Sequence, residues 1–237
     1  MLATRAIWRR EIVRRLRTLW FAKMLGTMLG IAAFLMAYFW VLRHPLFDVT
    51  IMPVTALDRA IGYHPETLPI YLSLWAYVSV GPALLGNSRE IVSYTLSVFV
   101  LSVIGLGIFV LWPTAIPEFA VDWSQHPSIS FLKNHDLAAN ACPSMHVAFS
   151  VLTAIYLEKL LCETNTGWPI RALNWLWCLG IIYSTVTTLQ HVVLDVLGGT
   201  VLGSIVAALY LRLLRFQERG QGFISSYGTN AIEQSQR

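Results

Sequence analysis

The chain has 237 residues, 56% of them hydrophobic and only 13% charged, with a formal net charge of +4. Soluble domains carry about 25% charged residues, so a globule wetted on all sides is a poor fit; helices of about 20 apolar residues bathed in lipid are a better one. Cys142, Cys162 and Cys178 are odd in number and lack CxxC spacing, which excludes a disulfide framework and a zinc ribbon.

The positive charge is crowded at the start. Arg5, Arg9, Arg10, Arg14, Arg15, Arg17 and Lys23 stand against one acid, Glu11. Between them Ile7, Trp8, Ile12, Val13, Leu16, Leu19 and Trp20 recur at helical spacing. Residues 1–20 therefore read as a basic amphipathic segment lying in the membrane interface, or as the wet end of the first span. Nucleic-acid binding is set aside, because apolar residues interrupt the arm and a span follows it; inward orientation explains the charge. No cleavable signal peptide is apparent, since the basic region is long and the apolar run after it approaches a full span.

Six spans are expected, over residues 21–42, 70–85, 91–112, 147–161, 172–189 and 192–213. The first contains Gly26 and Gly30, a small-residue pair of little weight by itself, and the second contains Gly81-Pro82, a kink signal. Between them, residues 45–69 are too polar to cross; a short surface helix is predicted over Thr55–Ile61, and His64 reads as an ordinary loop histidine. The connector 113–143 opens Pro113-Thr114-Ala115-Ile116-Pro117 and carries His126, Lys133 and His135; a connection this long without a clean element is uncommon. The fifth span ends in hydroxyls, Ser184, Thr185, Thr187 and Thr188, followed by Gln190. The sixth has Gly198, Gly199 and Gly203 for close packing, with Arg212, Arg215 and Arg219 after it.

The expected fold is thus an all-α integral membrane bundle of six transmembrane helices with cytoplasmic N- and C-termini. It divides into the basic segment 1–20, a membrane catalytic domain 21–214 and a polar tail 215–237. Alternation of spans brings the 43–69 segment, the 113–146 segment and the His191 junction to the same outer face, without appeal to their chemistry.

Two histidines and an aspartate stand out at that face. His191 and Asp195 are four apart, so on a helix the carboxylate can accept a bond from one imidazole nitrogen and leave the other available as a nucleophile. The plain alternative is a satisfied polar pair that helps two helices pack. His146, at the start of the fourth span, supplies a second imidazole able to donate a proton to a departing oxygen.

Pro143-Ser144-Met145-His146 resembles the Pro-Ser-Gly-His block of the type-2 phosphatidic acid phosphatase superfamily, with methionine in the glycine position. Ser184-Thr185, five further residues, then His191 and Asp195 resemble its Ser-Arg…His…Asp block, with threonine where arginine is usual. Pro113 to Pro117 is similar to the proline-rich first region of the synthase-like branch. That superfamily includes lipid phosphatases and the sphingomyelin- and inositol-phosphorylceramide-synthase-like phosphotransferases. The resemblance covers about residues 91–205 and leaves the first 60 unassigned.

The resemblance implies that His191 attacks phosphorus to form a phosphohistidine, that Asp195 orients it, and that His146 protonates the leaving group and then helps activate the acceptor. Ser144 and the amides opening the fourth helix would hold phosphate oxygens. The scheme calls for no metal and no cofactor. Two departures matter: the arginine before the nucleophile is absent at Thr185, and no clean Lys-x6-Arg-Pro block exists. A transferring phosphoryl group needs positive charge or several directed donors, so Lys133, His126, His135, Thr185, Thr188 and Gln190 join Ser144 as phosphate-binding candidates.

The resulting expectation is a phosphoric-ester hydrolase acting on a lipid phosphate, with phosphatidic acid, phosphatidylglycerol phosphate and polyprenyl diphosphate as the substrate types the resemblance suggests. A lipid phosphotransferase and an inactive lipid- or partner-binding module are the alternatives. A transporter would need charged or broken-helix elements near mid-membrane, and Pro82 is the only hint of one. The expected partners are the lipid substrate and the bilayer, with no nucleic acid and a homodimer left open. The expected location is a bacterial inner membrane, with the site facing the periplasm or the cell exterior.

Overall fold

The computed structural model describes residues 2–121, 123 and 140–235, with side chains described for 8–121, 123 and 140–214. Helix α1 (Leu2–Arg17) is set off from α2 (Trp20–Arg43), with Leu19 between them in the left-handed region at φ 47°. The short α3 (Ala56–Ile61), α4 (Leu68–Leu72) and α5 (Leu74–Ala83) follow, then α6 (Ser88–Leu111), α7 (Met145–Glu163), α8 (Trp168–Thr187) and α9 (Val193–Ser235). Two short strands that the sequence did not announce, β1 (Thr50–Ile51) and β2 (Thr114–Ala115), pair in parallel with Thr50 against Thr114.

Among the described residues, four helices are long and apolar enough to cross a membrane: α2, α6, α7, and α9 over Val193–Leu214. The expected six-span bundle is corrected on two counts. The segment expected to span from Ile70 to Leu85 is two helices of 5 and 10 residues meeting at Ser73. Pro69 lies in the first turn of the first and Pro82 lies inside the second, and the Ser73 hydroxyl turns back to the Ile70 carbonyl at 2.6 Å. The segment expected over Ala172–Leu189 is the 20-residue α8. Its length suffices, but Arg171, Asn174, three tryptophans and the hydroxyls of its last turn keep its apolarity below what a crossing needs.

Helix α7 is the hub. It packs against α9, α8, α5 and α6, and Val147, Ala148, Leu152 and Ala154 on it are fully buried. Two glycines set the approach of α9. A Cβ on Gly199 would lie 2.3 Å from the Ser144 carbonyl oxygen, and one on Gly203 would lie 2.5 Å from that of Ala148. Facing outward, Val92, Leu96, Phe99 and Val103 on α6 and Leu197, Val201, Ile205 and Leu209 on α9 form exposed stripes at three-and-four spacing. Apolar stripes of this extent are untenable in water and favourable in lipid. The chain is an integral membrane protein.

At one end of the bundle, the α5–α6 turn docks on the α1–α2 junction. The Lys23 ammonium is buried there and donates to the carbonyls of Arg15, Ala83 and Leu85 at 2.6, 2.7 and 3.1 Å. Arg15 pairs with Glu90 at 2.7 Å and with Glu11 at 2.8 Å. The opposite end holds the starts of α7 and α9, and the conspicuous residues lie there.

Candidate active site

The Pro143–His146 block is locked from outside its own helix. Thr114, fully buried on β2, accepts a bond from the Cys142 amide at 2.7 Å and returns its hydroxyl hydrogen to the Cys142 carbonyl at 3.3 Å. The Ser144 amide donates to the Asp195 carbonyl at 2.9 Å, tying the two helix starts together. Ser144 then caps α7, its Oγ accepting from the Val147 amide at 3.4 Å. Met145, the departure from the glycine of the resembled block, lies over Gly105 of α6, where a Cβ would come within 2.3 Å of its sulfur. Methionine therefore fits because the facing residue has no side chain.

His146 follows in the first turn of α7. Tyr71 of α4 stacks on its ring at 4.6 Å between centroids and 24° between planes, and Trp75 lies edge-on at 6.4 Å. The His146 and His191 rings are 5.9 Å apart between centroids, at 59°.

His191 differs from the helical placement the sequence suggested. Leu189 takes a left-handed conformation at φ 55°, α8 stops at Thr187 and α9 begins only at Val193, so His191 lies in the turn before the helix. The amides of Gln190 and His191 both donate to the Thr185 carbonyl, at 3.1 and 3.0 Å. His191 Nδ1 is 3.5 Å from Asp195 Oδ2, close for an ion pair and long for a hydrogen bond. The same Oδ2 accepts from the Val192 amide at 3.0 Å. Asp195 is fully buried and His191 is 7% exposed, so the pair is shielded from water.

The remaining candidates divide. Thr185 and Thr188 are fully buried, and each gives its hydroxyl hydrogen to a carbonyl of its own helix at 2.7 Å, of Ile182 and Ser184 respectively. Ser144 is also buried, but its Oγ serves as an acceptor in the α7 cap. Gln190 is different: it is buried, its Nε2 has no partner among the described residues, and it borders the same groove as His146. Among the described residues, His191 Nδ1 and Asp195 Oδ1 also lack hydrogen-bond partners. Lys133, His126 and His135 lie outside the described residues. His64 has both ring nitrogens engaged, by Glu66 and by the Ile61 carbonyl, each at 3.1 Å.

Cys142 also borders the second block, its sulfur 3.2 Å from where a Cβ on Gly198 would lie. Burial, with the nearby Asp195 charge adding to it, pushes that thiol up to about 11, which disfavours the thiolate a cysteine nucleophile needs.

Sequence reasoning missed Tyr71, Thr114 and Asp58. Tyr71 gave no signal, being one aromatic in an apolar run. Thr55 and Asp58 do form a capping box, and that spacing is legible. The bond from Asp58 Oδ1 to the Val193 amide at 2.7 Å, 135 residues away along the chain, is not.

A groove of about 330 Å³ leads away from His146 and Gln190. Its walls are apolar side chains of α2, α5, α6 and α7, among them Phe34, Trp75, Val98 and Phe149, and Lys23 stands at its far end. Gly26 and Gly30 of α2 line it with nothing among the described residues within 4 Å of a built Cβ, so their small size opens the groove.

These features bring two histidines together as a candidate site at the joined starts of α7 and α9. Residues 90–219, more than half of the chain, match the PAP2 superfamily, and the protein belongs to that superfamily. The match takes in both blocks and leaves α1 to α5 outside. No curated protein and no solved structure matches the chain.

Proposed function

We propose that the protein is a membrane lipid phosphatase that cleaves a lipid phosphate ester through a phosphohistidine at His191. The observation that carries this reading is the 5.9 Å approach of the His146 and His191 rings, with the Asp195 carboxylate behind His191. Asp195 faces Nδ1, which leaves Nε2 to attack phosphorus. As the P–N bond forms and the ester P–O bond breaks, protonated His146 gives its proton to the departing alkoxide. His146, now neutral, takes a proton from water as that water attacks the phosphohistidine. The P–N bond breaks, inorganic phosphate leaves and His191 is restored.

Gln190 Nε2 supplies a directed donor to a phosphate oxygen, and Lys133, His126 and His135 remain the candidates for positive charge. Ser144 Oγ caps α7 as an acceptor, which leaves its hydroxyl hydrogen for a phosphate oxygen, whereas Thr185 and Thr188 give theirs to carbonyls in the last turn of α8. The groove supports a lipid substrate, because an apolar channel ending at His146 suits a hydrocarbon chain whose phosphate stands between the imidazoles. Residues 1–20 are assigned to the interface and 21–214 to the catalytic unit. The site faces the compartment opposite the arginine-rich start.

The test is phosphate release by the purified protein from phosphatidic acid, phosphatidylglycerol phosphate and polyprenyl diphosphate, with and without alcohol acceptors. The native protein is expected to release inorganic phosphate from one of them, and His191→Ala to lose at least ~10³-fold of the rate. A phosphorylated acceptor with little free phosphate would replace hydrolysis by transfer. Undiminished turnover by His191→Ala would end the reading.

A further inference from the structure

Four consecutive amides run through the turn that carries His191, and every one of them has an acceptor. Gln190 and His191 use the Thr185 carbonyl, and Val192 uses Asp195 Oδ2. These three anchors are local, lying within 185–195. The fourth comes from elsewhere: the Val193 amide donates at 2.7 Å to Oδ1 of Asp58, on the six-residue α3. Val193 opens α9, so its amide is one of the donors a helix start cannot satisfy internally. A buried carboxylate there makes a charge-assisted bond and complements the positive end of the helix dipole.

Asp58 is itself held. Its Oδ2 accepts from the Thr55 amide at 2.7 Å and from the Thr55 hydroxyl at 2.6 Å, closing the capping box of α3. The segment around it grips the same turn at other points. The His64 amide donates to the Thr187 carbonyl at 2.9 Å, and the Thr67 and Thr187 hydroxyls meet at 2.7 Å. Met52 packs with Ala141 and Val192 in a small buried cluster. All of these contacts reach the turn from chain that lies outside the family match.

From this we infer that Asp58 is a positioning residue for His191, the point at which the segment between α2 and α4 braces the nucleophile-bearing turn. Without it, the part-buried amide that opens α9 loses its acceptor, and of the two carboxylates that hold the start of α9 only Asp195 remains. His191 already stands 3.5 Å from Asp195 and 5.9 Å from His146. A further shift of about 1 Å in such a site costs on the order of 10²-fold in rate. The inference rests on the functional reading above only for its effect on turnover; the ordering of the turn is independent of it.

The experiment compares Asp58→Ala, Asp58→Asn and Thr55→Ala in detergent micelles. Amide exchange of the 188–195 segment, read by mass spectrometry, needs no substrate. Asp58→Ala is expected to speed exchange there by about 10-fold or more while the α7 segment 147–160 keeps native protection. On the lipid phosphate found in the panel above, kcat is expected to fall by roughly 10- to 100-fold with KM within about 3-fold of native. Asp58→Asn, whose side-chain oxygen can still accept from Val193, is expected to recover most of both properties. Thr55→Ala, which loosens α3 and leaves the Val193 acceptor, is expected to stay near native. If Asp58→Ala lowers protection everywhere, Asp58→Asn decides: recovery supports the brace, and equal impairment overturns it. Native exchange at 188–195 with native kcat in Asp58→Ala overturns it outright. Full turnover by His191→Ala overturns the chemistry above and leaves the exchange result standing.

Discussion

The two flanks of α7 are built in opposite ways. On one, α9 lies so close that the glycines at 199 and 203 face the carbonyls of Ser144 and Ala148 with no room for a methyl group. On the other, α2 stands off, and its own glycines at 26 and 30 border an open apolar groove. The tight flank fixes backbone to backbone and places the two histidines relative to each other. The loose flank leaves room for a hydrocarbon chain leading to His146. Small residues thus serve opposite ends in one molecule, close contact in one place and empty space in another.

The sharpest way to break that comparison is Gly199→Ala. Its methyl meets a backbone carbonyl that cannot swing aside, so α7 and α9 must separate. A loss of about 1–3 kcal/mol in stability is expected, with turnover down on the order of 10²-fold as the imidazoles part. Thermal unfolding and the phosphate-release assay read the two effects.

Gly30→Leu probes the other flank. None of the described residues lies within 4 Å of its added Cβ, so stability is expected to stay within about 0.5 kcal/mol of native. The branched side chain narrows the groove, and kcat/KM for a long-chain lipid phosphate is expected to fall about 10-fold. A short-chain, water-soluble analogue is expected to be hydrolysed as before. Equal loss on both substrates would remove the groove from the account of substrate binding.

Gly105→Ala carries the smallest expected effect and sharpens the contrast with Gly199. The atom in its way is the Met145 sulfur, at 2.3 Å from a built Cβ, and a thioether can change rotamer where a carbonyl cannot. A cost of about 1 kcal/mol in thermal unfolding is expected, with activity largely kept.

What was legible in the sequence was chemistry at short range. Pro143 to His146 and the His191–Asp195 pair stand out by residue type and spacing, and α3 announces itself through Thr55 and Asp58. Span counting was less successful because it weighed apolar run length over local breaks. Ser73 divides α4 from α5, and the tryptophans, Arg171 and Asn174 dilute α8. Reading His191 and Asp195 as one helix face assumed a continuous helix, and the left-handed Leu189 and a helix start at Val193 replace that with a turn. Spacing does not reveal which carbonyl or amide a short side chain meets, so the bonds of Ser144 to the Val147 amide and of Thr185 and Thr188 to carbonyls of α8 were not legible. The clamp of Thr114 on Cys142 and the reach of Asp58 to Val193 join residues far apart along the chain, where no periodicity points from one partner to the other.

The most direct measurement is the site of covalent phosphate during turnover. Native protein mixed with its lipid phosphate, quenched in base within a single turnover and digested, is expected to carry phosphate on the peptide containing His191, and Asp195→Asn to carry less of it. Active protein that bears phosphate on another residue, or that turns over with none on His191 at any quench time, would contradict the account.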